Sequence, residues 1–182
     1  MDALGRAIMA LVTVFQPENG TPTFTTPTIG RVAETIVVQG RLDGARTPAL
    51  DRILQTGAAA ITVTFDGRIT TDAIVAQSVS YRTESKHVLR YDLLTRNYTV
   101  VVDGSARTFQ DEREATSAFE SYTLAFDTTP IAGATLRIDA HVEYDSALAI
   151  DVPADALWGY RAPWVVVRDV VVRDVVVGGG GR

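Results

Sequence analysis

The sequence predicts a mostly β protein, an antiparallel two-sheet β-sandwich with two short helices. Three observations carry this. Apolar and polar residues alternate with period two, most cleanly over Ala134 to Tyr144. There Leu136, Ile138, Ala140, Val142 and Tyr144 face one way, and Arg137, Asp139, His141, Glu143 and Asp145 the other, as a sheet with one wet face requires. Turn dipeptides recur at strand-length spacing. Helix-start signals stand out only twice, and the short connections disfavour a parallel sheet, whose crossovers are longer.

The elements follow in order. Gln16 to Gly30 holds Pro17, Pro22 and Pro27 among several threonines, and reads as a linker or extended arm. The chain divides into an N-terminal segment and arm (1–30), a single sandwich domain (31–177) and a glycine tail (178–182). Val32 to Leu42 is the first strand, with Ile36 and Val38 on one face. Thr47 caps a helix with Pro48 at its first position; Leu50, Ile53 and Leu54 share its face, and Gly57 closes it. Ala59 to Phe65 is a strand ended by Asp66-Gly67. A strand from Ala73 to Arg82 follows, its buried face being that of Val75, Val79 and Tyr81.

Two strands then fold about Leu94 to Asn97, with His87, Leu89, Tyr91 and Leu93 on one face, and Asp103-Gly104 turns again. Asp111 and Glu114 have the spacing of a capping box opening a helix to Ser121, with Ala115, Ala118 and Phe119 as its apolar stripe. Tyr122 to Phe126 and Ala134 to Tyr144 are strands. After Trp164 the sequence Val-Val-Val-Arg-Asp occurs twice, then Val-Val-Val and four glycines. β preference is high here. The run reads as a long last strand, or as one that adds to another sheet, with Arg168, Asp169, Arg173 and Asp174 as charge breaks.

Composition excludes several functions. A net charge of −5 with scattered arginines argues against a nucleic-acid partner. The absence of cysteine removes disulfides, thiolate catalysis and thiolate metal sites. No apolar run is long enough to span a bilayer. Leu4 to Phe15 reads as a secretory remnant that brings the chain near a membrane, or as a docked helix.

Candidate chemistry is sparse. Asp139, His141 and Glu143 share one strand face with neighbours roughly 6.5–7 Å apart, a row that can supply two or three metal ligands or simply be a solvated face. Trp158, Tyr160 and Trp164 form an aromatic cluster that lines a ligand patch or packs over the mouth of the sandwich. The serine-elbow, zinc-helix and dinucleotide motifs are all missing, and no catalytic residue or cofactor is expected.

The run Val88-Leu89-Arg90-Tyr91-Asp92-Leu93-Leu94-Thr95-Arg96-Asn97-Tyr98-Thr99-Val100 resembles the central signature of the bacterial domain-of-unknown-function family four-three-nine-zero. That signature is a strand ending in Tyr, then Leu-Thr-Arg, an aromatic and a second strand. Thr108-Phe109 before a short acidic-capped helix agrees, and the likeness spans about residues 31 to 165. The departures are a tryptophan-poor region at Ser78 to Tyr81, a poor export signal and the Val-Arg-Asp tail. The resemblance implies an exported bacterial protein and no reaction. The expectation is therefore a non-catalytic domain of the periplasm or cell envelope, the cytoplasm being the alternative. It works by contact with a protein partner or with itself, through its terminal strand or an exposed sheet edge. The competing expectations are a sandwich that binds small hydrophobic ligands and a metal-dependent hydrolase.

Overall fold

Burial separates the chain's alternating strands into two sheets whose apolar faces meet. The computed structural model describes residues 12–14, 21–71, 80–128, 133–146, 158, 163–168 and 173–174. Its strands are β1 (Val12–Val14), β2 (Thr23–Phe24), β3 (Thr28–Val32), β4 (Thr35–Asp43), β5 (Ala59–Thr71), β6 (Ser80–Asp92), β7 (Asn97–Val102), β8 (Ser105–Phe109), β9 (Ser121–Asp127), β10 (Ala134–Ser146), β11 (Trp164–Val167) and β12 (Arg173–Asp174). The helices are α1 (Pro48–Leu54) and α2 (Glu112–Glu120). One sheet runs β1-β11-β10-β5-β6-β7-β8. The other runs β12-β3-β4-β2, with β9 also paired to β4. Every pairing is antiparallel except β12 with β3.

The core lies between the sheets. Ile61, Val63, Phe65 and Ile69 of β5 and Leu136, Ile138 and Ala140 of β10 meet Ile36, Val38 and Leu42 of β4 and Tyr122, Leu124 and Phe126 of β9. The Phe65 and Tyr122 rings lie 4.9 Å apart, and Phe24 stands edge-on to Tyr122 at 5.7 Å. Aromatic pairs of this kind add to their burial. Both helices start where local chemistry places them. Thr47 accepts from Leu50 N, and Asp111 accepts from Arg113 N and Glu114 N. Each satisfies N–H groups that have no partner inside the helix.

Several expectations need correction. Asp66-Gly67 is not a turn; β5 runs through it to Thr71. Gly67 sits on the inner face, where an added Cβ would come within 2.7 Å of Leu124 Cδ1 and 2.8 Å of Phe126 Cζ. The glycine makes room for the opposite sheet. The span from Val32 to Leu42 is not one strand, because β3 and β4 form a hairpin turning at Ala33, whose φ is +53°. The arm is part of the fold: Phe24 is in the core, and the boundary near Arg31 falls inside β3. The valine-rich tail is not one long strand. β11 lies between β10 and β1, whereas β12 joins the other sheet. Val12–Val14, within the N-terminal apolar segment, is a strand and not a helix. The strand face of Val75 and Val79 lies outside the described residues; Tyr81 packs on the core.

Candidate functional site

Several buried polar groups hold the helices to the sheets and to each other. Glu120, at the end of α2, is buried; one carboxylate oxygen accepts from Arg41 at 2.7 Å and the other from Ala45 N at 3.0 Å. The Arg41 guanidinium, half in water, also meets Asp43 at 2.8 Å, and Glu120 lifts it above its ordinary value. The Arg46 side chain is buried between the helices, donating to Asp51 of α1 and to Thr116 and Glu112 of α2. Its guanidinium lies 5.6 Å from the Tyr98 ring centre. A buried charge survives only when paired and hydrogen-bonded in this way.

One arrangement superficially resembles a catalytic set. Ser85 Oγ is 3.0 Å from His87 Nε2 and 2.9 Å from Asp103 Oδ2, two acceptors for its one proton, while His87 Nδ1 lies 2.9 Å from the Phe119 carbonyl. A carbonyl only accepts, so Nδ1 carries the proton. Both Ser85 and His87 are buried, and the imidazole stacks edge-on against Phe65 at 5.0 Å. Burial pushes the ring below its ordinary value, opposed by the Phe119 hydrogen bond and the Asp103 charge. Ser85 and His87 lie within the packed interior of the sandwich and only Asp103 reaches solvent, so the set joins β6 to α2 and to the β7–β8 turn.

The residues singled out in the sequence do not form one site. Trp158 is buried, with its indole N–H given to the Ala45 carbonyl at 3.1 Å, so it packs and lines no open slot. Trp164 lies on the opposite, outer side of the long sheet, in register with Asp139, and its ring receives the Arg137 guanidinium at 5.5 Å. Arg168 is exposed just past β11, and Arg173 and Asp174 form β12 in the other sheet. Tyr160 and Asp169 lie outside the described residues. Asp139 is engaged by Arg137 at 2.9 Å, and His141 and Glu143 project separately from the same face. Among the described residues no three His, Asp or Glu side chains are placed to hold a metal ion.

Two exposed features remain. β8 is one edge of the long sheet, β1 being the other, and four of its five residues are exposed. Asp103 and Gly104, with φ of +47° and +85°, make the two-residue turn that joins it to β7. That turn makes Val102 and Ser105 a hydrogen-bonded pair, so the backbone N–H and C=O groups of Ala106 and Thr108 face outward. Beside the far end of β8, Leu93 to Arg96 form the turn between β6 and β7. Asp92 Oδ1 accepts from Leu94 N at 2.8 Å and Thr95 N at 3.2 Å, fixing a turn that holds Leu94 96 % exposed. These two bonds hold the Asp92 carboxyl below its ordinary value. An open cleft of about 760 Å³ lies at its base, between Leu93 and Leu94, the Gly57–Ala60 stretch, Arg90 and Asp145.

Reading the sequence for motifs missed Leu94. The available signal was two leucines at the tip of a hairpin, where turn chemistry favours polar residues. No helix of the described residues is long and apolar enough to cross a membrane. The chain matches no protein-family model, no curated protein and no solved structure.

Proposed function

We propose that this chain is a non-catalytic contact domain of the bacterial envelope that receives an extended segment of a partner protein along β8. The observation that carries this reading is the edge itself: a short strand, exposed from Ser105 to Thr108, with the Ala106 and Thr108 backbone groups turned outward. Such an edge is a ready template for one more strand. We place the contact on β8 in preference to the valine-rich terminus, where β11 has a neighbour on each side and β12, itself an edge of the other sheet, is only two residues long. The Leu93–Leu94 knuckle lies beside the end of the edge, Phe109 pairing with Tyr98 directly after Asn97. It supplies an apolar anchor for a side chain of the added strand. The envelope location rests on the resemblance of residues 88–100 to an exported family.

Ala106→Pro tests this. Its lost N–H points outward, so the variant keeps the β7–β8 ladder and the fold. A photo-crosslinker at Thr108, in cells fractionated into cytoplasm and envelope, should give an envelope adduct that Ala106→Pro abolishes. An unchanged adduct, or none, rejects the reading.

A further inference from the structure

The open face of the long sheet carries charge sorted into rows. Register places Arg137 opposite Arg68, and Arg68 opposite Arg82. Two residues along each strand, Asp139 stands opposite Asp66, and Asp66 opposite Glu84. A row of three arginines thus runs beside a row of three carboxylates, roughly 6.5–7 Å away. Thr135, Thr70 and Ser80 form the next row beyond the arginines; His141, Thr64 and Lys86 form the next beyond the acids.

Like charges directly opposite one another destabilise a sheet. Contacts between the rows repair this only in part. Arg82 pairs with Asp66, and Arg137 with Asp139 at 2.9 Å. Arg68 and Glu84 are exposed and make no ion pair among the described residues.

We propose that this face docks a second copy of the chain, through a two-fold axis parallel to the rows and midway between them. That axis lays β5 over β5 and sets Arg68 of each copy against Asp66 of the other. It likewise sets Arg137 against Asp139 and Arg82 against Glu84. A two-fold contact must be self-complementary, and equal, opposite charges in adjacent rows satisfy that condition. The face is neutral over these six residues, so a uniformly acidic or basic partner gains little from it. A second copy presents both signs at the matching spacing.

The three long strands offer roughly 34 by 14 Å, less than the ~800 Å² per partner of a standard interface. The dimer is therefore weak and sensitive to salt. This contact uses the sheet face and is independent of the β8 edge.

Sedimentation equilibrium on the full chain tests it, in about 50 and about 500 mM NaCl. The parent should dimerise in low salt, and Kd should rise roughly tenfold or more in high salt. Arg68→Asp puts like charges together across the two-fold and should raise Kd by roughly tenfold or more. It should not lower the melting temperature, because Asp at 68 sits between Arg137 and Arg82. The double variant Arg68→Asp/Asp66→Arg restores opposite charges across the axis and should recover dimerisation. Ala106→Pro should dimerise as the parent does. A protein monomeric throughout in low salt overturns the proposal, as does a Kd that Arg68→Asp leaves unchanged. Loss of the dimer in Ala106→Pro with Arg68→Asp unaffected also overturns it and assigns self-association to the edge.

Discussion

The phenol oxygen of Tyr122 lies against Gly40 on the neighbouring strand, buried and without a hydrogen-bond partner among the described residues. A Cβ at position 40 would come within 2.3 Å of that oxygen and 2.6 Å of the ring carbon bearing it. The register pairs these two residues, so the large ring fits only because its partner has no side chain.

A substitution pair follows from this contact. Tyr122→Phe removes a buried hydroxyl that makes no bond, and should be neutral or stabilising by up to about 1 kcal/mol. Gly40→Ala should cost about 1–3 kcal/mol through overpacking. The double variant should recover part of that loss, since the oxygen is gone but the ring remains. Chemical denaturation of the three variants reads the result. A Tyr122→Phe loss above about 1 kcal/mol would place an acceptor at this hydroxyl.

What the sequence disclosed and what it hid divide by range. Thr47, Pro48 and Gly57 bound α1 through bonds to residues only a few positions away, and the same holds for Asp111 and α2. Period two exposed the inner face of β10 without knowledge of its neighbours. Gly67 misled because a glycine between strands and a glycine within one look alike until the opposite sheet is in place. The arginine row was illegible for the same reason. Arg68, Arg82 and Arg137 meet only through the registers of β5 with β6 and β10, and packing sets those registers. Of the candidate contact surface, the hairpin of Leu93 and Leu94 was visible, but not the freedom of the β8 edge.

Glu120 should be the most sensitive charged position. Read as a sequence it ends a helix; in the fold it accepts from Arg41 and from the Ala45 backbone. Glu120→Leu strips both donors of their acceptor and should cost about 2–4 kcal/mol, tempered because Arg41 is half in water. Glu120→Gln keeps an oxygen for one donor and should cost about 1–2 kcal/mol. A Glu120→Leu variant within 0.5 kcal/mol of the parent, by urea midpoint and slope, would show that the pair holds nothing together.

Leu94 should behave in the opposite way. It is 96 % exposed, so Leu94→Ser should leave the stability within about 0.5 kcal/mol of the parent. If the knuckle anchors an added strand, the same change should weaken the adduct formed through Thr108. A stability loss without any change in the adduct would make Leu94 a packing residue instead.

His87 should give the protein a pH dependence in the window just below neutrality. Desolvation between Phe65 and α2 holds its ring below the ordinary value of 6.5, and the Phe119 carbonyl and Asp103 offset this only in part. The native ring therefore stays neutral where the same ring in the unfolded chain takes a proton. From pH 6.5 down to the native value the unfolded state binds more protons, so stability falls as the pH falls, by at most about 1.4 kcal/mol per unit for one group. Above pH 6.5 both states are neutral and this contribution is flat. Denaturation midpoints between about pH 5 and 7.5 separate the ring from the carboxylates, which titrate lower. His87→Gln should be less stable at pH 7.5 and lose much of the slope between pH 5 and 6.5. His141→Gln removes an exposed ring and is the control. An unchanged slope in His87→Gln would show that this imidazole does not couple to folding.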